Sequence, residues 1–411
     1  MRDSILPCGQ MSEPGKARQP RLVHETLRAP LPQAVGPRRR RARWPDRVIG
    51  AIFTVAALDG RADGAPLILD VELSMIPRTW LLAAVCAVAP LHALSAQRLF
   101  HSDSVFSFTV RTDFRALARD RDTVNAPWHP ATITWAGADG PKSVALRVKT
   151  RGAYRLRLCD LPPIRLRFTN DSVRGTPWHD LRRPKLATHC KDRDDYEQNL
   201  LHEYTLYRIY QLFTPLSYRI RLVRVTYEDA SGSVPRVTRY GFILEDPDGF
   251  PSRMHATPLR QPGVRQSHLE LQNAALLGVF EYFIGNTDWS VPGLHNVALM
   301  RVDSAMRAVP YDFDWSGAVD APYARPDPSL PIHAVRQRIY RGLCLEAEDL
   351  VPTLARFEAL KDSIAAVYRA VPALDPRIVE RAQRWYDEFY RAIANRSRFA
   401  ERVVQVNCFT Q

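Results

Sequence analysis

From residue 97 onward the chain is written in short apolar and polar alternations whose period changes along its length. Val105 to Val110, Ala131 to Trp135 and Val144 to Val148 place apolar side chains at every second position, as half-buried strands do. Ile164 to Phe168 and Lys185 to Thr188 are shorter β-like runs bounded by Pro, Gly and Asp. A helical period then takes over, with Leu200, Leu201, Tyr204, Tyr207, Ile209, Tyr210 and Phe213 recurring until Pro215 stops it. Asp194 followed by Glu197 has the spacing of a capping box at its start. Two further strands are expected at Tyr218 to Tyr227 and Arg239 to Leu244, and Glu245-Asp246-Pro247-Asp248-Gly249 reads as an extended linker.

Beyond that linker the pattern is helical apart from one hairpin. Ser267 to Ile284 carries Leu269, Leu276, Leu277, Phe280 and Ile284 on one face, and Gly285 is placed to close the helix in a left-handed conformation. Further helices are expected at Ile332 to Arg341, Ala347 to Phe357, Leu360 to Val371 and Pro376 to Asn395, after a Pro-rich loop from Pro322 to Pro331. The order is a β-rich lobe with one helix over 97–245, then a mainly helical lobe over 246–411 holding the hairpin.

The first 96 residues differ in kind. Residues 1–74 are rich in Pro and Arg without a sustained apolar period, and read as a disordered or mistranslated leader. At Met75 the pattern becomes that of a secretory signal peptide: Arg78, the apolar run Trp80 to Leu91, then small residues before a cut at Ala96/Gln97. A twin-arginine-like signal over Arg38 to Leu58 is the competing reading, and both direct the protein to the periplasm or the exterior. The apolar run is too short for a confident membrane span, and no transmembrane segment is expected in the mature chain.

Export changes how the cysteines read. Four of the six, Cys159, Cys190, Cys344 and Cys408, lie in the mature part, which permits two disulfides. Cys159 and Cys190 fall in neighbouring predicted strands, so the expected pairs are Cys159–Cys190 and Cys344–Cys408. A zinc site is disfavoured because no Cys-x-x-Cys or Cys/His pair has ligand spacing. Part of the formal net charge of +13 belongs to the leader, and the remainder is Arg-dominated and scattered along strands. Without a Lys/Arg run interleaved with aromatics it gives no clear sign of nucleic-acid binding, and points rather to anionic surfaces or phosphates.

The candidate chemistry is concentrated between Gly285 and Gly317. Asn286, Asp288, His295 and Asn296 precede the hairpin, and Asp312 and Asp314 follow it, so pairing its strands brings the two clusters to one mouth. Asp312 and Asp314 are two apart and face one way on an extended chain, the arrangement that holds Mg²⁺ or Mn²⁺ through carboxylates and substrate phosphates. Capping of turns by these same residues is the plainer alternative. Glu203 shares a helix face with Leu200, Tyr207 and Tyr210, so its charge faces inward, and Lys185 is its expected partner. The positions of Arg336, Arg338 and Arg341 are compatible with an anionic substrate or with a solvated basic face.

The order of parts is that of a two-lobed, α+β, protein-kinase-like fold, in which a Lys, a helix Glu, an acceptor-side Asp and metal-bound Asn and Asp position the reactants. Over most of residues 140–345 the sequence resembles the spore coat protein H (CotH) type of atypical secreted kinases and, more distantly, HipA-type kinases. The resemblance is carried by Lys149-Thr150-Arg151-Gly152, Lys185, the strand end Gly241 to Glu245, Gly285-Asn286-Thr287-Asp288, Asn296 and Tyr311-Asp312-Phe313-Asp314. It implies ATP with Mg²⁺ or Mn²⁺ as cofactors and a protein or cell-envelope hydroxyl as acceptor. Asp288 would be the catalytic Asp, Asn296, Asp312 and Asp314 metal ligands, and Lys185, Glu203, Arg151, Gly152 and Glu245 nucleotide-site residues. The Gly-x-Gly-x-x-Gly loop of ordinary kinases is missing. A pseudokinase or envelope assembly protein is the alternative, and a metal-dependent hydrolase built on Asp312 and Asp314 ranks below both.

Overall fold

The computed structural model describes residues 98–122, 125–152 and 154–409; the leader and signal-peptide assignments lie outside them. Seven strands close into a barrel: β1 (Phe106–Thr112), β2 (His129–Gly137), β3 (Gly140–Thr150), β4 (Ile164–Arg167), β5 (Lys185–Ala187), β6 (Ile220–Asp229) and β7 (Val237–Leu244). Their spatial order is β1-β2-β3-β4-β5-β7-β6, and β6 returns to β1 in a parallel pairing that runs from Phe106 opposite Val223 to Thr112 opposite Asp229. The alternation read from sequence fills the interior, where Val110, Ile133, Val148, Leu166, Leu186, Val225 and Ile243 are fully buried.

This closure overturns the expected two-lobed kinase-like α+β fold. A lobe of that kind requires an open sheet, whereas the β1–β6 pairing leaves the seven strands without a free edge. Nor is the helical part a second body with its own core. One apolar cluster runs from Leu222, Phe242 and Leu244 through Leu200 and Phe213 to Phe280, Phe283, Phe357, Trp385 and Phe389. The period of two shows which side chains of a strand face inward, and is the same for an open sheet and a closed one.

The helix between β5 and β6 spans Asp194–Phe213 and packs on β7. Its start is not a capping box: the N-cap is Arg193, with no side-chain cap. Glu197 instead accepts from the Tyr240 N–H at 2.5 Å and pairs with Arg224 and Arg239, tying the helix to β6 and β7. The expected extended linker contains a short helix, Gly249–Arg253, opened by the Gly249 and Phe250 N–H groups donating to the Asp246 carbonyl.

A second sheet orders β8 (Ala256–Leu259), β9 (Val297–Val302) and β10 (Ala305–Pro310) as β10-β9-β8, with β9 and β10 forming the expected hairpin. Before it, the Leu271–Ile284 helix ends at Gly285, whose φ of 66° is the predicted left-handed cap. Helices follow at Ala347–Ala359, Lys361–Ala370 and Pro376–Ile393. The expected helix over Ile332 to Arg341 does not form. There the Gln337 side-chain oxygen takes the His333 and Ala334 N–H groups at 2.6 and 3.1 Å, and Arg338 stacks 3.5 Å from the centre of the Trp385 ring. Arg336 pairs with Asp320, and Arg341 donates to the Thr287 carbonyl, so these arginines are engaged by the protein itself.

Both disulfides pair as expected, Cys159–Cys190 and Cys344–Cys408, with Cα atoms 4.6 and 4.8 Å apart. Among the described residues no helix is long and apolar enough to cross a membrane. Two disulfides fit a protein of an oxidising, extracytoplasmic compartment.

Candidate functional site

The β9–β10 hairpin delivers the two polar clusters to one end. Val297 pairs with Pro310 there, and the Tyr311 N–H donates to the Asn296 carbonyl at 2.9 Å, so the residues on either side leave the sheet together. Asn296 and Asp312 both have positive φ, 53° and 66°, which turns each chain end sharply as it departs. Phe313 plunges into the core against Tyr207 and Phe280, and so points away from the two aspartates that flank it.

On the first side, a bridge between Ser290 and His295 folds the intervening residues into a tight turn. That turn brings Asn296 to Asp288: the Asn296 amide donates to the Asp288 carbonyl at 2.7 Å and to its carboxylate at 3.0 Å. His295 Nε2 lies 2.8 Å from the other carboxylate oxygen, and this hydrogen bond raises the imidazole pKa. Asn286 completes the group by accepting from the Asp288 N–H at 3.0 Å. Below it Glu281 is buried with neither oxygen at hydrogen-bond geometry. Burial pushes its carboxyl up to about 8, with the nearby Asn286 amide offsetting part of the shift.

On the second side, Asp312, Asp314 and Glu203 place carboxylate oxygens within 4.8 Å of one another. Arg155 occupies the middle of the group. Its guanidinium reaches Asp312 at 2.5 Å, Asp314 at 3.4 Å and Glu203 at 3.6 Å. Burial opposes the guanidinium charge, but Asp314, Asp312 and Glu203 outweigh it and hold the group protonated. Burial likewise pushes Glu203 well above the usual carboxylate range, with Arg155 opposing. Asp314 rises to about 6, by burial first and then by repulsion from Asp312, while the Tyr323 hydroxyl donates to it at 2.9 Å. Asp312 is the exception: burial acts against its charge, yet Arg155, Arg151 and Lys185 together hold it below the usual range.

Lys185 sits on β5 facing this group. It is 8 % exposed, and among the described residues it makes no ion pair; the Tyr311 ring lies 4.9 Å from its Nζ. Burial, reinforced by Arg151, lowers its pKa to about 7. Lys185, Arg151, Arg155, Glu203 and Asp312 line one small cavity of about 10 Å³, room for roughly one water.

Of the residues named from sequence, Lys185, Arg151, Glu203, Asp312 and Asp314 gather at this cavity and around Arg155, while Asp288 and Asn296 form a separate group, and two partners differ from those expected. The ion pair expected between Lys185 and Glu203 is not made; Arg155 holds Glu203, and Lys185 faces the same cavity unpaired. Asn296 is bound to Asp288 and not to Asp312 or Asp314. The two groups leave the hairpin side by side, since the Tyr311 N–H donates to the Asn296 carbonyl. Gly152, at a φ of 87°, turns the chain beside Arg151. Glu245 is saturated by Arg219 and Arg253, bonds of 2.9 Å or so that account for its buried charge without a ligand. Arg155 was not legible as a site residue: it lies among several similar arginines and carries no motif.

No protein-family model matches the chain, and a search of curated proteins finds no significant relative.

Proposed function

We propose that this site binds the phosphates of a nucleotide together with a divalent cation and transfers the terminal phosphoryl group to a hydroxyl of a protein or envelope acceptor. The observation that carries the reading is Lys185: a buried, ion-unpaired lysine beside Arg151, facing a set of three carboxylates. An unpaired buried ammonium is costly unless an anion comes to it. Oxygen-only donors suit Mg²⁺ or Mn²⁺, and Asp312, Asp314 and Glu203 are the residues that would hold one. Such an ion supplies neutralisation of phosphate oxygens during transfer. Lys185 and Arg151 bind the anionic end of the substrate. Asp288, fixed by His295 and Asn296, orients the acceptor hydroxyl and accepts its proton as the acceptor oxygen bonds to the terminal phosphorus and the bond from that phosphorus to the bridging oxygen breaks, releasing the nucleoside diphosphate.

One observation favours a second reading, a binding protein without transfer. Arg155 already neutralises the carboxylates, and the space among these groups is that of one water. Calorimetric titration with ATP and Mn²⁺, followed by radiolabel transfer to envelope fractions, separates the two. Binding lost in Lys185→Met, with transfer lost but binding kept in Asp288→Asn, supports transfer. Binding without transfer in the unaltered protein supports the second reading, and absence of both sinks each.

A further inference from the structure

The register of β3, β4 and β5 sets like charges against each other. Arg147 lies directly opposite Arg167, Lys149 opposite Arg165, and Arg165 opposite Lys185. These residues alternate with the buried Leu146, Val148, Ile164, Leu166 and Leu186, so all five point away from the barrel interior: Arg147 and Arg167 are exposed, Lys149 and Arg165 half-buried, and Lys185, at the inner end of the row, is buried. Directly opposed like charges destabilise a sheet, and a face that only needed to be wet would alternate sign. Among the described residues none of the five makes an ion pair, and neither do Arg151 and Arg182 beside them. The nearest carboxylates are spent. Asp246 accepts the Arg183 and Asp248 N–H groups, Asp248 holds Arg183, and Asp312 is bound by Arg155. Next to the row a depression of about 530 Å³ is lined by Arg167, Arg182, Arg183, Asn170 and Trp128.

We propose that this row is a binding track for an acidic polysaccharide, a glycan bearing carboxylate or sulfate groups along its length. Neighbouring strands lie about 4.8 Å apart, and side chains on one face recur about every 6.7 Å, so Arg147, Lys149, Arg165 and Arg167 form a grid of accessible cations that an extended, repeating anion can neutralise. Nucleic acid is the poorer fit on two counts. Lys149 and Arg167 already lie over the Trp128 ring, 5.4 and 5.5 Å from its centre, which removes the aromatic platform on which bases stack. The two disulfides fit an oxidising, extracytoplasmic compartment and not the cytosol or nucleus, where nucleic acid is concentrated. The track does not depend on phosphoryl transfer, because its outer members Arg147, Arg167 and Arg182 are not among the residues lining the Lys185 cavity.

The test is fluorescence-anisotropy titration of the full chain with labelled polygalacturonate and dextran sulfate. A single-stranded DNA 20-mer, polyglutamate and neutral dextran are run beside them at several NaCl concentrations. Expected are binding to the acidic glycans that weakens with salt, no binding to neutral dextran, and an affinity loss of at least tenfold in Arg147→Gln/Arg167→Gln/Arg182→Gln. Arg377→Gln, an exposed arginine on the Pro376–Ile393 helix, should bind as the unaltered protein does. The proposal is overturned by absence of glycan binding at 150 mM NaCl, by tighter binding of DNA or polyglutamate, or by equal losses in the triple variant and Arg377→Gln.

Discussion

Arg155 and Asp312, 157 positions apart in sequence, meet at 2.5 Å, and the same guanidinium spans to Asp314 and Glu203. The arginine is thus the resident counter-ion of a group that also has the composition of a divalent-cation site. Arg155→Ala should leave the buried Glu203 without its ion-pair partner, Asp314 with the Tyr323 hydroxyl alone, and the half-buried Asp312 with only Arg151 and Lys185 near it, at a cost of about 3–5 kcal/mol. Mn²⁺ in large excess over its dissociation constant should then restore about 2–4 kcal/mol in the variant, and little in the unaltered protein. Thermal unfolding with EDTA and with Mn²⁺ reads both effects. A folded variant indifferent to Mn²⁺ removes these carboxylates as a cation site, and Arg155→Lys serves if the alanine form does not fold.

Lys185 gives a pH signature. Its folded pKa of about 7 lies below the ordinary 10.5, so between those values the unfolded chain binds a proton that the folded one does not, and stability rises with pH across that window. Below about 7 both states carry the charge and its burial costs most. Lys185→Met should therefore be more stable than the unaltered protein at pH 6, by about 1–3 kcal/mol, with the gap narrowing by pH 10. Urea denaturation of both proteins at pH 6, 8 and 10 measures it. A gap that stays constant with pH argues against a buried, unpaired ammonium.

How much of this was legible depends on which physical feature carried the information. Strands β1 to β7, the Asp194–Phe213 helix and the Gly285 cap follow from local periods and local backbone preference, and the sequence contains both. Closure of the barrel does not: the pairing of Phe106–Thr112 with Ile220–Asp229 joins segments over a hundred residues apart, and nothing in either strand encodes it. The hairpin mouth was readable because Asn296 and Tyr311 flank complementary strands. Arg155 was not, since its role comes from carboxylates on the Asp194–Phe213 helix and after β10, far from it in sequence. Glu197 shows the converse error, a correct capping spacing diverted by the stronger claim of the Tyr240 N–H and two arginines.

Glu281 titrates in the opposite sense to Lys185. Its folded pKa of about 8 lies above the ordinary 4.5, so the stability of its protonated form is complete below about 4.5 and is lost as pH rises through about 8. Glu281→Gln keeps the shape without the charge. It should match the unaltered protein at pH 5 and exceed it by about 1–3 kcal/mol at pH 8.5. Equal stability at both pH values would show the carboxyl to be hydrated or ion-paired in solution.

Gly285 is fixed by two independent constraints. Its φ of 66° is strained for any residue with a Cβ, and a Cβ there would lie 2.7 Å from the Trp385 ring. Trp385 is itself held by a 3.0 Å bond from its indole N–H to the Phe283 carbonyl, so it has little room to retreat. Gly285→Ala should destabilise by about 2–4 kcal/mol and shift the Asn286 to Asp288 turn with it. Thermal melting checks the first part, and a changed His295 titration by NMR checks the second. A variant as stable as the parent would mean that the Trp385 packing yields.

The two disulfides should behave differently toward cations, though they contribute similarly to stability. Each closes a long loop, 31 and 64 residues, and removing either should cost about 3–4 kcal/mol by freeing the unfolded chain. Cys344–Cys408 fastens the C-terminal segment, where the Cys344 N–H donates to the Phe409 carbonyl and the Phe409 N–H to that of Gly342. Cys159–Cys190 fastens the turn that aims Arg155: the Cys159 N–H donates to the Arg155 carbonyl at 2.9 Å, and the Leu161 N–H to that of Cys190 at 3.0 Å. Without this bond Arg155 is held in place chiefly by the carboxylates it neutralises, and a divalent ion competes with it more easily. In Cys159→Ser/Cys190→Ser the melting temperature should fall and its rise on adding Mn²⁺ should grow. In Cys344→Ser/Cys408→Ser it should fall by a similar amount with no change in the Mn²⁺ response. Equal Mn²⁺ responses in the two variants would show that Arg155 is positioned by its carboxylates alone.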